Sequence, residues 1–189
     1  MAADIMIDLE TLDTSPYCVI LTIGVVRFDP KGMGIIEKIE LRPTIEEQTE
    51  QFNRSIDENT LKWWSSQSPD AIEEAMGDSN RISFKDAMEQ LYKFCWGAKR
   101  VWSHGASFDI VICENLFRKV GRAIPWQFWE VRCTRTIFDI GINPNRPPVL
   151  KHHALEDAWN QAVGVQNVYN ALRSATLFDG SKPTPLAKE

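Results

Sequence analysis

The sequence predicts one mixed α/β domain, a central sheet flanked by helices, and two observations indicate it. Three apolar or alternating segments come first, joined by short turns, which is typical of an antiparallel meander. Helical periods then alternate with two shorter apolar segments, which add two further strands. With 189 residues, 43% of them hydrophobic, the chain is long enough for a sizeable core. The sequence contains no GxGxxG or P-loop motif, which disfavours a doubly wound dinucleotide-binding fold.

The strands are predicted from apolar character and alternation. Residues 4–10 form a short strand, and residues 18–28 ("CVILTIGVVRF") are typical of a central strand covered on both faces. After a turn at "DPKGMG", residues 35–43 alternate between apolar and charged side chains. The two later strands are predicted at "KRVWSH" and "PWQFWEVRC".

The helices are predicted from periodicity and capping residues. A helical segment at residues 44–51, capped by Thr44, precedes two short helices that separate at Ser-Pro, 68–69. An amphipathic helix begins after Ser83. Another is predicted to be capped by Ser107 and closed by Gly121. A short helix at "CTRTIFDIG" and a long one at "HALEDAWNQAVGVQNVYNAL" complete the order.

Composition sets the domain limits and the compartment. We expect the domain to cover residues 1–173, with a flexible C-terminal tail at 174–189 that is rich in Ser, Pro, Gly and Thr. Apolar runs are too short for a membrane span and the N-terminus lacks a signal pattern, so a cytoplasmic protein without a membrane partner is expected. Scattered cysteines without a CxxC pair argue against disulfides and zinc, and we expect them to be small core residues. They are Cys18, Cys95, Cys113 and Cys133.

Charge is unevenly distributed along the chain. The net charge is −5, yet residues 99–151 hold nine Lys/Arg against four Asp/Glu. A basic segment of this kind is typical of a surface that follows a phosphate backbone, although a merely solvated face is an equal alternative. The candidate phosphate contacts are Arg118, Lys119, Arg122, Arg132 and Arg135.

Two carboxylates interrupt the first strand. In "MIDLETL", Asp8 and Glu10 lie on one face of the strand, about 6.5 Å apart at roughly 3.3 Å per residue. Like charges at that distance raise each other's pKa unless a cation lies between them. The pattern therefore indicates either a divalent metal site or a solvated acidic strand end.

Two further acids lie beside apolar runs. Asp109 opens the helix in "HGASFDIVI", a position that the helix dipole alone also favours. Asp157, in "KHHALEDAWNQAV", lies in a stripe that is expected to pack on the sheet. Together with the first pair, these acids favour a metal site.

Three motifs occur in order: D-x-E on the first strand, an aspartate preceded by "GASF", and H-x-A-L-x-D near the C-terminus. They resemble the motifs of the DEDDh 3′–5′ exonuclease superfamily. The stretches "MIDLETLDTSPYCVILTIGVVRFDP" and "LKWWSSQ" resemble its phage and bacterial exonucleases and exoribonucleases. The resemblance covers about residues 4–172. It departs at Asp13, where many relatives carry glycine.

The resemblance implies a ribonuclease-H-like fold and two Mg²⁺ or Mn²⁺ ions roughly 3.5–4 Å apart. By resemblance Asp8 bridges both ions. Glu10 and Asp157 complete the site that carries the attacking water, and Asp109 serves the second ion.

The general base is expected to be a histidine, because imidazole titrates near neutrality. Helical spacing alone favours His153, four residues before Asp157. The family pattern H-x-A-L-x-D instead aligns with His152, and we follow that alignment. His104 is expected to be a structural or substrate-side residue.

The resemblance also implies that the segment after D-x-E grips the 3′-terminal nucleotide, through Thr11 and through Leu12 as an apolar wedge. Aromatic side chains are expected to stack on bases. The candidates are Phe108, Trp102, Trp126 and Trp129, whereas Trp63, Trp64 and Trp159 are expected in the core.

The expected function is hydrolysis of single-stranded RNA or DNA from a free 3′ end, with release of nucleoside 5′-monophosphates. A phosphodiesterase for small nucleotides and a non-catalytic nucleic-acid-binding module of the same fold remain as alternatives. The presence of all four acids and a histidine weighs against the module. The residues do not separate RNA from DNA, and the resemblance suggests a homodimer.

Overall fold

A computed structural model describes residues 3–150 and 152–175 of the chain. Its five-stranded sheet has the order β3-β2-β1-β4-β5. β1, β2 and β3 are antiparallel neighbours, whereas β4 and β5 continue the sheet parallel to β1. The predicted meander with two added strands is therefore confirmed. The strands are β1 Asp4–Thr11, β2 Ile20–Phe28, β3 Ile35–Leu41, β4 Val101–Ser103 and β5 Val131–Cys133.

Seven helices flank this sheet in the part of the chain that the structure describes. The Ser-Pro boundary is confirmed, since Ser68 caps a helix whose first residue is Pro69. Asp57 and Ser83 also accept backbone N–H bonds as helix caps. The helices are α1 Ile45–Glu50, α2 Glu58–Trp64, α3 Pro69–Met76, α4 Phe84–Cys95, α5 Asp109–Lys119, α6 Thr134–Phe138 and α7 Ala154–Ser174.

Three local predictions are wrong. Ser107 does not cap α5: the chain turns at Phe108, which makes no side-chain cap bond, so the helix begins directly at Asp109. Thr44 does stand at the predicted N-cap position of α1, but it makes no side-chain cap bond, because its hydroxyl donates to the Ile82 carbonyl instead. Only the end of "PWQFWEVRC" is a strand, since Phe128–Glu130 form a 3₁₀ turn before β5.

The core lies on both faces of β2, as its continuous apolar sequence predicts. Ile23 and Val25 pack on the side that α4 and α5 cover. Val26 and Phe28 belong to the cluster that α7 covers on the other side. This two-sided burial places β2, together with its central neighbour β1, between two layers of helices.

Gly24 sets the distance between α7 and the sheet. A Cβ at this position would lie 2.2 Å from the carbonyl carbon of Ala154 and 2.3 Å from the backbone nitrogen of Leu155. These are backbone atoms, which cannot rotate away. Because Gly24 pairs with Asp8 across β1 and β2, the first turn of α7 is seated next to the D-x-E segment.

The cysteines and the chain end agree with the sequence only in part. Cys18, Cys95 and Cys113 are buried, whereas Cys133 is half-buried; all four are free thiols. Of the predicted tail, Ser174 is the last residue of α7, and residues 176–189 lie outside the described residues. Across residues 3–150 and 152–175, no helix is long and apolar enough to cross a membrane.

Candidate active site

Three carboxylates meet where β1 approaches α7. Asp8 and Glu10 point to one face of β1, and Asp157 lies in the first turn of α7. One carboxylate oxygen from each lies within 4.8 Å of the other two. The alternation of β1 brings Asp8 and Glu10 to the same face. The close packing of α7 on the sheet brings Asp157 next to them.

Asp109 approaches this group from a third element. It is the first residue of α5 and only 5% exposed, and its negative charge acts on both Asp8 and Glu10. It lies outside the group of three that share the 4.8 Å limit. The four predicted acids therefore lie in one region, with Asp109 outside the close group that Asp8, Glu10 and Asp157 form.

All four carboxyl groups have pKa values above the ordinary range. Burial, helped by the charges of Asp157 and Asp109, raises the pKa of Glu10 to about 8. Burial raises the pKa of Asp109 to about 7. Burial and the charges of the other three acids raise the pKa of Asp8 well above its ordinary value, and burial raises that of Asp157. Mutual repulsion of this kind is relieved by a bound cation.

The donor set fits a hard divalent cation. Among the described residues, no lysine or arginine forms an ion pair with any of the four acids. Gln161 donates from Nε2 to Asp8 Oδ1 at 2.8 Å, and its Oε1 is buried without a described partner. Carboxylate and amide oxygens are ligands that suit Mg²⁺ and Mn²⁺.

The two adjacent histidines face different neighbours. The His152 ring stands edge-on to Trp63, 4.8 Å between ring centroids, and both His152 and His153 lie close enough to Asp157 to oppose the rise of its pKa. Its backbone has φ 63°, the left-handed conformation, which turns it away from the helix that follows. His153 instead lies between two glutamates, Nδ1 3.4 Å from Glu40 Oε1 and Nε2 3.7 Å from Glu74 Oε1.

A cavity of about 660 Å³ opens beside the acids. It contains Thr11 and Phe108 from the predicted substrate contacts. Leu12 is not brought to it: this side chain is 5% exposed and packs in the core with Val19 and Leu21. The lining is Leu9, Glu10, Thr11, Asp13, Thr14, Asp57, Asn59, Thr60, Trp63 and Phe108.

The aromatic predictions require correction. Trp63 is 43% exposed and lines the cavity, whereas the sequence placed it in the core. Trp64, its neighbour on α2, is buried, because successive helical residues point about 100° apart. Trp102 and Trp126 are buried and do not face the cavity. Trp159 is partly buried beside the α7 cluster, and Trp129 is exposed.

The predicted phosphate contacts separate into two groups. Arg118 pairs with Glu114, and Arg122 pairs with Glu89. Arg132 donates to the backbone of Trp129 and Val131. Arg135 lies near the acids, close enough for its charge to act on Asp109.

Sequence reasoning missed Trp63 and Gln161. The signal for Gln161 was present, since it lies four residues after Asp157 and so on the same face of α7. For Trp63 the signal was the adjacent pair Trp63 and Trp64. A helix that has one face in solvent buries only one of two adjacent residues.

The mixed five-stranded sheet with four acids gathered beside α7 has the arrangement expected of a ribonuclease-H-like fold. The chain belongs to the Rv2179c-like family: the model of the 3′-5′ exoribonuclease Rv2179c-like domain matches residues 3–169. It is accordingly a 3′–5′ exonuclease domain. An exodeoxyribonuclease of Enterobacteria phage T4 is 24% identical over 164 residues, 70% of this chain and 69% of that protein.

Solved structures show the same fold. The zinc-ion-bound complex of E. coli exonuclease I with single-stranded DNA has a TM-score of 0.60 at 12% identity, covering 93% of this chain and 41% of that one. Exonuclease X in complex with 5′ overhanging duplex DNA has a TM-score of 0.53 at 20% identity, covering 88% of this chain and 91% of that one. The chain thus spans less than half the length of the exonuclease I chain.

Proposed function

We propose that this protein removes nucleoside 5′-monophosphates from the free 3′ end of single-stranded RNA or DNA with the help of two divalent metal ions. The observation that carries this proposal is the oxygen cluster of Asp8, Glu10 and Asp157 beside an open cavity. The zinc-bound structural relative and the nucleic-acid complexes of exonucleases I and X support a metal and a polymer substrate.

The acids divide between the two ions. Asp8, Glu10 and Asp157 would hold one Mg²⁺ or Mn²⁺ ion, and Asp8 together with Asp109 would hold the other. When bound, these ions lower the pKa of an attacking water and neutralise negative charge on the phosphate. Gln161 keeps one oxygen of Asp8 in a fixed direction through its 2.8 Å bond.

His152 removes the proton from the attacking water. Its ring stands against Trp63 and Trp64, with centroids 4.8 and 6.1 Å away, so its orientation is restricted. Both histidines lie close to Asp157, so the assignment to His152 follows the family pattern H-x-A-L-x-D, which aligns with His152. The His153 ring faces Glu40 and Glu74, at 3.4 and 3.7 Å, which favours His152 for this role.

The cavity holds the 3′-terminal nucleotide. Phe108 and Trp63 line it and offer apolar faces to a base, and stacking of this kind tolerates any sequence. Thr11, Asn59 and Thr60 line it as well and offer hydroxyl and amide groups to the sugar. A free end enters this space more readily than a paired one.

The test uses single strands of RNA and DNA labelled at the 5′ end, incubated with Mg²⁺ or Mn²⁺. We expect a ladder that shortens from the 3′ end, absent with a chelator and in Asp8→Ala and His152→Ala. The comparison of the two polymers gives the sugar preference. Absence of shortening on both, with folded protein and bound metal, contradicts the proposal and favours small nucleotides as substrates.

A homodimer in the cytoplasm completes the proposal. The homodimer follows only from the family resemblance, and light scattering of the purified chain measures it directly. A monomeric mass at micromolar concentration contradicts this part alone.

A further inference from the structure

A second cavity, of about 570 Å³, lies beside the first. Its residues come from the loop after β4 and from the junction of β5 and α6, which are the carboxyl ends of strands parallel to β1. Phe108 lines both cavities and is therefore their shared wall. The lining is His104, Gly105, Ala106, Ser107, Phe108, Cys133 and Arg135.

The two cavities differ in charge. The first is lined by three acids, Glu10, Asp13 and Asp57. Among the described residues that line the second there is no carboxylate, and Arg135 supplies a permanent positive charge. An anionic group is consequently favoured in the second cavity and disfavoured in the first unless a cation accompanies it.

Arg135 is oriented by its surroundings. Its Nε donates to the His104 carbonyl oxygen at 3.1 Å, and its two terminal nitrogens make no hydrogen bond to any described residue. The His104 ring is itself held by a 2.7 Å contact between Nδ1 and Thr134 Oγ1. The guanidinium thus has one end fixed and the other end free for a phosphate, the geometry in which arginine binds such groups well.

Gly105 makes this arrangement possible. It has φ +139°, a conformation that side-chain-bearing residues rarely adopt. A Cβ there would lie 3.7 Å from Arg135 Nε and 3.9 Å from Phe108 Cβ. The Gly105 backbone therefore lies against both side chains, and Arg135 and Phe108 are neighbours.

We propose that the second cavity binds the nucleotide immediately upstream of the scissile bond, with Arg135 on its phosphate and Phe108 between it and the terminal nucleotide. This inference rests on the proposed function, because it assigns the first cavity to the 3′-terminal nucleotide. The scissile phosphate then lies at the four acids. It is next to Asp109, which directly follows Phe108 in the chain. Substrates that fill both cavities are bound better than those that fill one.

The experiment compares two substrates that differ only in the group on the far side of the bond to be cut. The p-nitrophenyl ester of thymidine 5′-monophosphate places a nucleotide in the first cavity and a small aromatic leaving group beyond it. A short oligothymidylate fills both cavities. The variants are Arg135→Gln and, as control, Arg173→Gln, whose arginine is also exposed and also donates to one backbone carbonyl, that of Lys31.

For Arg135→Gln we expect kcat/KM on the oligonucleotide to fall about tenfold more than on the ester, since a hydrogen bond to a charged group is lost. The slope of log KM against log salt on the oligonucleotide should fall by about 0.7, the value for one phosphate contact on a single strand. Arg173→Gln should change neither quantity.

Equal losses of Arg135→Gln on both substrates overturn the inference, because Arg135 then acts on the acids. No loss on either substrate overturns it as well. If the wild-type protein cuts neither substrate, it is the proposed function that fails, so the two failures are distinguishable.

Discussion

Gln161 Nε2 donates a 2.8 Å hydrogen bond to Asp8 Oδ1, joining the long helix α7 to the first strand. Asp157 lies one turn earlier on the same helix, so α7 brings both an acid and its orienting amide to the cluster. Gln161 is only 5% exposed. The orientation of the Asp8 carboxylate therefore depends on how α7 packs against β1.

Gln161→Leu is expected to weaken Mn²⁺ binding about tenfold, because groups that orient a metal ligand typically contribute 10–100-fold in affinity. Titration calorimetry measures the affinity. The control is Gln166→Leu, on the same helix, where the amide donates to the carbonyl oxygens of Asp29 and Gly34. Its loss should lower the free energy of unfolding and leave the Mn²⁺ affinity unchanged. Equal affinities in the two variants contradict the prediction.

The metal-free protein is expected to lose stability as pH rises. Glu10 and Asp109 have pKa values of about 8 and about 7 in the folded chain, above those in an unfolded one. Groups raised in this way favour the folded state when protonated, so their contribution is full below about pH 4 and is lost through pH 7–8. Between pH 5.5 and pH 9 we expect a loss of at least about 1.4 kcal/mol, the equivalent of one pKa unit.

Urea unfolding in the presence of a chelator measures this dependence. Mg²⁺ should restore stability most at the high-pH end, and Glu10→Gln should flatten the profile. A metal-free protein that is equally stable at both pH values would speak against the repulsion between these acids.

Gly24→Ala is expected to destabilise the fold by about 1–3 kcal/mol and to abolish activity, because the new methyl group meets the backbone of α7 at 2.2–2.3 Å. Gly164→Ala is the matched control. Its Cβ meets the end of the Phe138 ring at 2.8 Å and the Arg146 side chain at 2.9 Å, and both are side chains that can shift. Thermal unfolding compares the two, and an equal or smaller cost at Gly24 contradicts the close seating of α7.

The two neighbouring tryptophans of α2 are expected to have opposite effects. Trp63→Ala should raise KM for oligonucleotides about tenfold with little change in stability, since one stacking contact is worth about 1–3 kcal/mol. Trp64→Ala should unfold the protein at lower temperature, because this side chain is 1% exposed and its Nε1 donates to the Thr11 carbonyl at 2.9 Å. Steady-state kinetics and thermal melts separate the two, and an unchanged KM in Trp63→Ala argues against a base at this wall.

The strands, the long helices and the four acids were readable along the chain, because periodicity and motif spacing are local properties. Strand alternation alone places Asp8 and Glu10 on one face. The Ser-Pro boundary at Ser68 likewise depends on neighbours in sequence. Each element and each motif depends on residues that are close together in sequence, and the structure agrees with them.

Only the tertiary structure decided which aromatic side chains face the cavity and where the two histidines turn. Trp63 and Trp102 are equally apolar in sequence, yet one lines a cavity and the other is buried, because exposure depends on which elements pack on a strand or helix. His153 keeps its predicted spacing, since the Asp157 N–H donates to its carbonyl oxygen, but the tertiary structure turns its ring toward Glu40 of β3 and Glu74 of α3. Burial and chain direction at such points are long-range properties, set by contacts between segments that are far apart in sequence.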